Sequence, residues 1–244
     1  MRPFPEWDII KTVASYDARG NAMEITEVLS YVDHTLLRPT ATWDEICRLI
    51  DEAVRFGCAS VCIPPAFVAD AAEYAEDRIP ICTVVGFPNG YSSTATKMFE
   101  TQEAIDEGAS EIDMVVNLGW VKDGLYEYVQ DEIEQLKMIC EDKILKVIIE
   151  ASELSEKEKI KLCQVVTAGG ADFIKTSTGF AGGGATFDDV MLLREHIGPG
   201  VQIKAAGGIS SLEDAVRFIE LGASRLGTSR LVRIAQAEAE QDRT

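Results

Sequence analysis

Eight times along the chain a short run of β-type residues is followed by a stretch with helical spacing, and this alternation limits the fold more than any other feature. The runs are VDHTLL (32–37), ASVCIP (59–64), ICTVVGF (81–87), EIDMVVN (111–117), LKVIIE (145–150), FIKTST (173–178), VQIKAAGG (201–208) and SRLGTS (224–229). Between the first two, Ile46, Leu49, Ile50, Ala53 and Val54 recur at helical spacing, with Thr42 placed to cap the start and Gly57 the end. Later helical stretches close at Gly108 and Gly222, and Ser155 stands where a cap is expected. The runs recur about every 25–30 residues, the length of one βα unit in an eight-unit barrel. An open doubly wound sheet is the alternative, but it usually carries its glycine fingerprint in the first βα turn. Here the glycine-rich turns come late. The expected fold is therefore α/β, a TIM (β/α)8 barrel with an extra N-terminal helical segment in EITEVLSYV. No linker or composition break divides residues 23–244, which are expected to form one domain behind an extension or arm over 1–22.

In a barrel strand, alternate residues face inward and toward the helices. In EIDMVVN, the apolar set Ile112, Met114 and Val116 belongs against the helices, which turns Asp113 into the barrel. By the same alternation Lys146 and Glu150, Lys175, and Lys204 point inward from three further strands. Any one of these fits a structural ion pair or a lysine snorkelling from a strand end. As a set they do not, because burying several charges is costly where apolar residues would serve. A cluster of titratable groups at a barrel's strand ends marks an active site. Lys175 and Lys204 on neighbouring strands suggest a specific chemistry. If Lys204 stays protonated it disfavours a second positive charge, leaving Lys175 as a neutral amine able to attack an aldehyde. Asp113 is then placed to move protons.

Two turns have the form of anion sites: AAGGIS (205–210) and LGTSR (226–230), which includes Gly227. Glycines let backbone N–H groups approach an anion, and barrels commonly bind phosphate after strands seven and eight. Gly182–Gly184 reads either as a lip over the site or as an ordinary loop. The net charge of −18 argues against a nucleic-acid or anionic-membrane surface. No apolar run approaches the roughly 20 residues of a membrane span, and the N-terminus lacks a signal-peptide pattern. Six scattered cysteines read as reduced core thiols of a cytoplasmic protein, Cys62 among them. A metal aldolase would want several histidine ligands, and the chain has only His34 and His196.

Taken in order, VDHTLL, VCIPPAFV, VVGFPNG, EIDMVVN, LKVIIE, ADFIKTSTGF, IKAAGGI and LGTS resemble the deoxyribose-phosphate aldolase family, class I aldolases with a TIM barrel. The resemblance implies that Lys175 forms the Schiff base, that Lys204 perturbs it and joins proton transfer, and that Asp113 donates and accepts protons. It puts Asp33 and Thr35 in the polar network around the substrate, and Gly179, Gly207, Gly208 and Ser229 on its phosphate. It implies no metal or organic cofactor, a small sugar phosphate as substrate, and a homodimer. Phe180 and Ser210 depart from it, since some members carry a cation at each position; some also end in a tyrosine, where this chain ends QDRT. From the residues alone, another phosphate-binding barrel enzyme, such as a sugar-phosphate isomerase or a transaldolase-like enzyme, stays open. So does a non-catalytic phosphate-binding barrel.

Overall fold

The structure, a computed structural model, describes residues 13–16 and 22–241. It opens with an antiparallel hairpin of β1 (Val13–Tyr16) and β2 (Ala22–Glu24), then α1 (Ile25–Leu29). The expected arm over 1–22 thus runs into a strand that crosses its boundary, and its remaining residues lie outside the described ones. Helix α1 is the extra N-terminal helical segment, and Ile25, Val28 and Leu29 bury it against the barrel's outer layer. The barrel cycle follows: β3 (Val32–Thr35), α2 (Trp43–Phe56), β4 (Ser60–Ile63), α3 (Val68–Ala75), β5 (Ile81–Val85), α4 (Thr94–Asp106) and β6 (Glu111–Val115). It continues through α5 (Leu118–Lys122), α6 (Tyr126–Cys140), β7 (Ile144–Ile148), α7 (Glu156–Ala168), β8 (Phe173–Lys175) and α8 (Phe187–His196). It ends with β9 (Gln202–Ala206), α9 (Leu212–Leu221), β10 (Arg225–Thr228) and α10 (Leu231–Gln241). Strands β3 to β10 are all parallel and close on themselves, β10 pairing back with β3.

Local chemistry explains the punctuation. Gly57 ends α2 in the left-handed region at φ 65°, where a side chain would be strained. Ser155 and Glu158 form a capping box on α7, with the Ser155 N–H donating to Glu158 Oε2 at 2.6 Å. Helix α5 has no counterpart in the sequence reading. It starts because Asn117, two residues past the end of β6, accepts from the Trp120 N–H and caps a single extra turn.

The two faces of each strand separate as alternation requires. Ile112, Met114, Val116, Leu145, Val147, Ile149, Ile174, Ile203 and Ala205 join the large core shared with the helices. Cys62, Cys82 and Val84 form a separate, small apolar cluster inside the barrel. The interior also holds buried charged side chains.

Among the described residues, a fully buried charged pair also lies outside the barrel interior. Lys97 of α4 and Glu132 of α6 are both fully buried and meet at 2.8 Å. Lys97 Nζ also donates to the Val115 carbonyl, and Thr94 donates to the second Glu132 oxygen. Burial pushes the lysine down and the glutamate up, against the pull of each on the other. Removing one partner leaves a buried charge alone. We therefore expect Glu132→Ala to lose roughly 3–5 kcal/mol of folding free energy, read from the denaturant midpoint; an unchanged midpoint would show that the pair contributes nothing net.

Candidate active site

Asp113 on β6 is wholly buried and holds four donors. Its Oδ2 accepts from Lys175 Nζ of β8 and Lys204 Nζ of β9, each at 2.7 Å. Its Oδ1 accepts from Lys146 Nζ of β7 at 2.9 Å and from Cys82 Sγ of β5 at 3.2 Å. The two lysines that share Oδ2 sit side by side in the sheet register, as do Asp113 and Lys146. One layer further, Lys204 meets Asp33 Oδ2 at 2.5 Å and Lys146 meets Glu111 Oε2 at 2.6 Å. Arg225 of β10 closes the set by bonding Glu111 at 2.9 Å and Asp33 at still closer range. Gly227 leaves room for this: a Cβ there would lie 3.2 Å from Lys204 Cε and 2.9 Å from Ala206 Cβ.

The electrostatics follow from mutual pairing in a dry interior. Burial alone would raise the Asp113 carboxyl, but Lys146, Lys175 and Lys204 hold it well below the usual carboxylate range. Burial would lower Lys204, but Asp113 and Asp33 outweigh it and hold the ammonium above an ordinary lysine. Lys146 is raised in the same way, chiefly by Asp113. Formally, Asp33, Glu111 and Asp113 balance Lys146, Lys204 and Arg225. Lys175 is a further amine on the same carboxylate, 2.7 Å from Asp113 Oδ2.

Above this layer opens a cavity of about 520 Å³. Lys175 lies at its base; Asp113, Lys146 and Lys204 do not line it. Its walls include Thr35, Gly179, Gly207, Gly208, Gly227 and Ser229, so every glycine and hydroxyl residue expected around the substrate reaches it. Asp33 does not. It is buried beneath, as a member of the ion network rather than of the cavity wall. Ser210 and Asp113 are likewise absent from the wall, whereas Phe180 is present, about half exposed and edge-on to Phe87 at 5.1 Å. Glu150, expected to point inward, falls past the end of β7 in a left-handed turn at φ 50°. From there its carboxylate holds the Thr178 N–H and hydroxyl, fixing the turn that carries Gly179. The 182–184 glycines are not a free lip. Ala185 N–H donates to the Ala206 and Gly207 carbonyls, and a Cβ on Gly184 would strike the Gly207 backbone at 2.5 Å.

The sequence reading did not place Cys82 or Arg225 in the network, nor the arginines Arg38, Arg48, Arg230 and Arg233 that line the cavity mouth. Applying the inward–outward alternation to ICTVV and SRLGT would have exposed the first two. The mouth arginines come from α2, α10 and their leading loops, and no strand pattern indicates them.

A closed βα barrel with one reachable lysine, held on a carboxylate that a second lysine shares, is the architecture of a class I, lysine-dependent aldolase. The family profile described as DeoC/LacD family aldolase matches residues 27–236. Deoxyribose-phosphate aldolase of Streptococcus pyogenes serotype M28 is 58% identical over 217 residues, 89% of this chain and 97% of that protein. The enzyme of the same name from Streptococcus agalactiae serotype Ia is 57% identical over 91% of this chain and 100% of its own. Among solved structures, the deoxyribose phosphate aldolase of Aeropyrum pernix, described as a unique tetramer, superposes with a TM-score of 0.82 at 31% identity, covering 89% of this chain and 93% of that one. This chain belongs to the DeoC/LacD aldolase family.

Proposed function

We propose that the protein catalyses the reversible cleavage of 2-deoxy-D-ribose 5-phosphate to D-glyceraldehyde 3-phosphate and acetaldehyde. The observation that carries this reading is that Lys175, alone of the buried lysines among the described residues, opens onto the cavity, while sharing Asp113 Oδ2 with Lys204. The Lys175 amine adds to C1 of the open-chain aldehyde, and loss of water gives an iminium. Removal of the 3-hydroxyl proton breaks the C2–C3 bond, and the electron pair passes into the iminium to leave an enamine. Glyceraldehyde 3-phosphate departs. Protonation of C2 and hydrolysis then release acetaldehyde and restore the amine. Asp113, in contact with both lysines, moves protons at Lys175 and C2, and Lys204 keeps it ionised. The test is trapping: incubation with acetaldehyde and borohydride should reduce an adduct onto Lys175, and peptide mapping that finds none there would remove the mechanism.

The phosphate belongs at the cavity mouth, where Gly179, Gly207, Gly208 and Ser229 offer backbone and hydroxyl donors beside the start of α10. Family members that carry a cation at the positions of Phe180 and Ser210 have charge that this chain lacks there. Arg38, Arg48, Arg230 and Arg233 line the mouth against only Glu45 and Glu52, a basic opening on a chain of net charge −18. Arg38 is taken by Glu45, and Arg233 lies near Glu52. The Arg230 side chain has no partner among the described residues. It stands at the start of α10, and we assign it the phosphate's charge. Arg230→Ser should raise KM for the phosphorylated sugar about tenfold, one charge-assisted hydrogen bond, and leave turnover of unphosphorylated 2-deoxyribose as it was. Equal losses on both substrates would place Arg230 elsewhere in the mechanism.

A further inference from the structure

Cys62 and Cys82 are register partners on the adjacent parallel strands β4 and β5, and both face the barrel interior. Neighbouring strands run about 4.8 Å apart, inside the range of roughly 4.4–6.8 Å between Cα atoms that a disulfide spans. The two sulfurs and an Asp113 oxygen all lie within 4.8 Å of one another. Both thiols are free and fully buried. They are nevertheless one side-chain layer from the cavity, since Leu37 packs on the pair and also lines the cavity wall. We infer that Cys62 and Cys82 are a peroxide-sensitive dithiol that closes to a disulfide inside the barrel.

The surroundings favour this use of the pair over a cation site. Lys146 Nζ sits 3.3 Å from Cys82 Sγ, and Lys175 and Lys204 hold the same carboxylate. The Lys146 and Lys204 ammonium groups repel a divalent metal but stabilise a thiolate. The Cys62 thiol is held below an ordinary cysteine, first by its hydrogen bond with Cys82, whereas burial drives Cys82 well above. Cys62 is therefore the attacking sulfur. Its thiolate displaces hydroxide from hydrogen peroxide to form a sulfenic acid. The Cys82 thiol then attacks that sulfur, the S–S bond forms, and water leaves. Two thiols are oxidised and one peroxide is reduced to two waters. Closure takes the Cys82 S–H away from Asp113 Oδ1 and ties β5 to β4 beside the proton-transfer carboxylate.

The covalent event stands independently of the aldolase reading; its effect on turnover rests on it. The reduced protein is treated with hydrogen peroxide, its intact mass measured, and non-reduced peptides mapped. The expected result is a mass lower by two hydrogens, a Cys62–Cys82 linked peptide, and a loss of turnover on the order of tenfold or more that dithiothreitol restores. Cys62→Ser and Cys82→Ala, each compared with its own untreated rate, should show no dithiothreitol-reversible loss. A gain of oxygen without a linked peptide, a linkage to another of the six cysteines, or reversible loss in Cys62→Ser would each overturn the inference. A linked peptide found with no change in turnover would uphold the site and remove its effect on catalysis.

Discussion

Lys175→Leu is expected to abolish cleavage and to leave the barrel folded. The substitution removes the one amine among the described residues that reaches the cavity, so on the proposed mechanism no iminium should form and the C2–C3 bond should have no electron sink. Turnover should fall on the order of 10⁴-fold or more, the scale seen when a covalent nucleophile is removed. Folding survives for an electrostatic reason. Without Lys175, Asp113 still accepts from Lys146 and Lys204, and three carboxylates still face three cations. Leucine is of similar bulk along its stem and leaves no charge unpaired. The comparison is a steady-state assay beside a thermal melt. A variant that keeps measurable cleavage at an unchanged melting transition would show that the covalent amine lies elsewhere. A variant that fails to fold would instead show that Lys175 is a structural counter-ion, in conflict with the charge count.

That count also marks how far the sequence could be read. The barrel was legible because a period of two and a period of 3.6 alternate eight times, and the strand runs fall on β3 to β10. Asp113, Lys175 and Lys204 were legible for the same reason: each interrupts an apolar strand on its inward side. Which inward residues then touch depends on the stagger between strands, and no single strand's pattern contains it. Asp33 and Arg225 lie far apart in sequence and meet only because β10 closes onto β3. Glu150 was misplaced because alternation stops where the strand does, and its left-handed turn sends the carboxylate to Thr178 instead. Lys97 and Glu132 look like ordinary helix-surface charges in their own helices. Only the packing of α4 against α6 buries them.

Lys204→Leu should break catalysis in a different way, and the pH dependence tells the two apart. The substitution keeps the Lys175 amine in the cavity but removes a cation from the balanced interior. Asp33, Glu111 and Asp113 are then opposed only by Lys146 and Arg225. A proton on Lys175 becomes the missing counter-charge, in contact with Asp113 Oδ2 at 2.7 Å. Protonated Lys175 cannot attack an aldehyde, so the active form of the variant appears only at higher pH. Turnover near neutral pH should fall at least about a hundredfold, the range of a lost acid–base partner. The acidic limb of the rate profile should move to the alkaline side, and part of the rate should return as pH rises. Lys175→Leu offers no such recovery at any pH, because it has no amine to deprotonate. A Lys204→Leu profile that keeps the parent's acidic limb would mean that the two lysines, though they share one carboxylate oxygen, do not sense each other's charge.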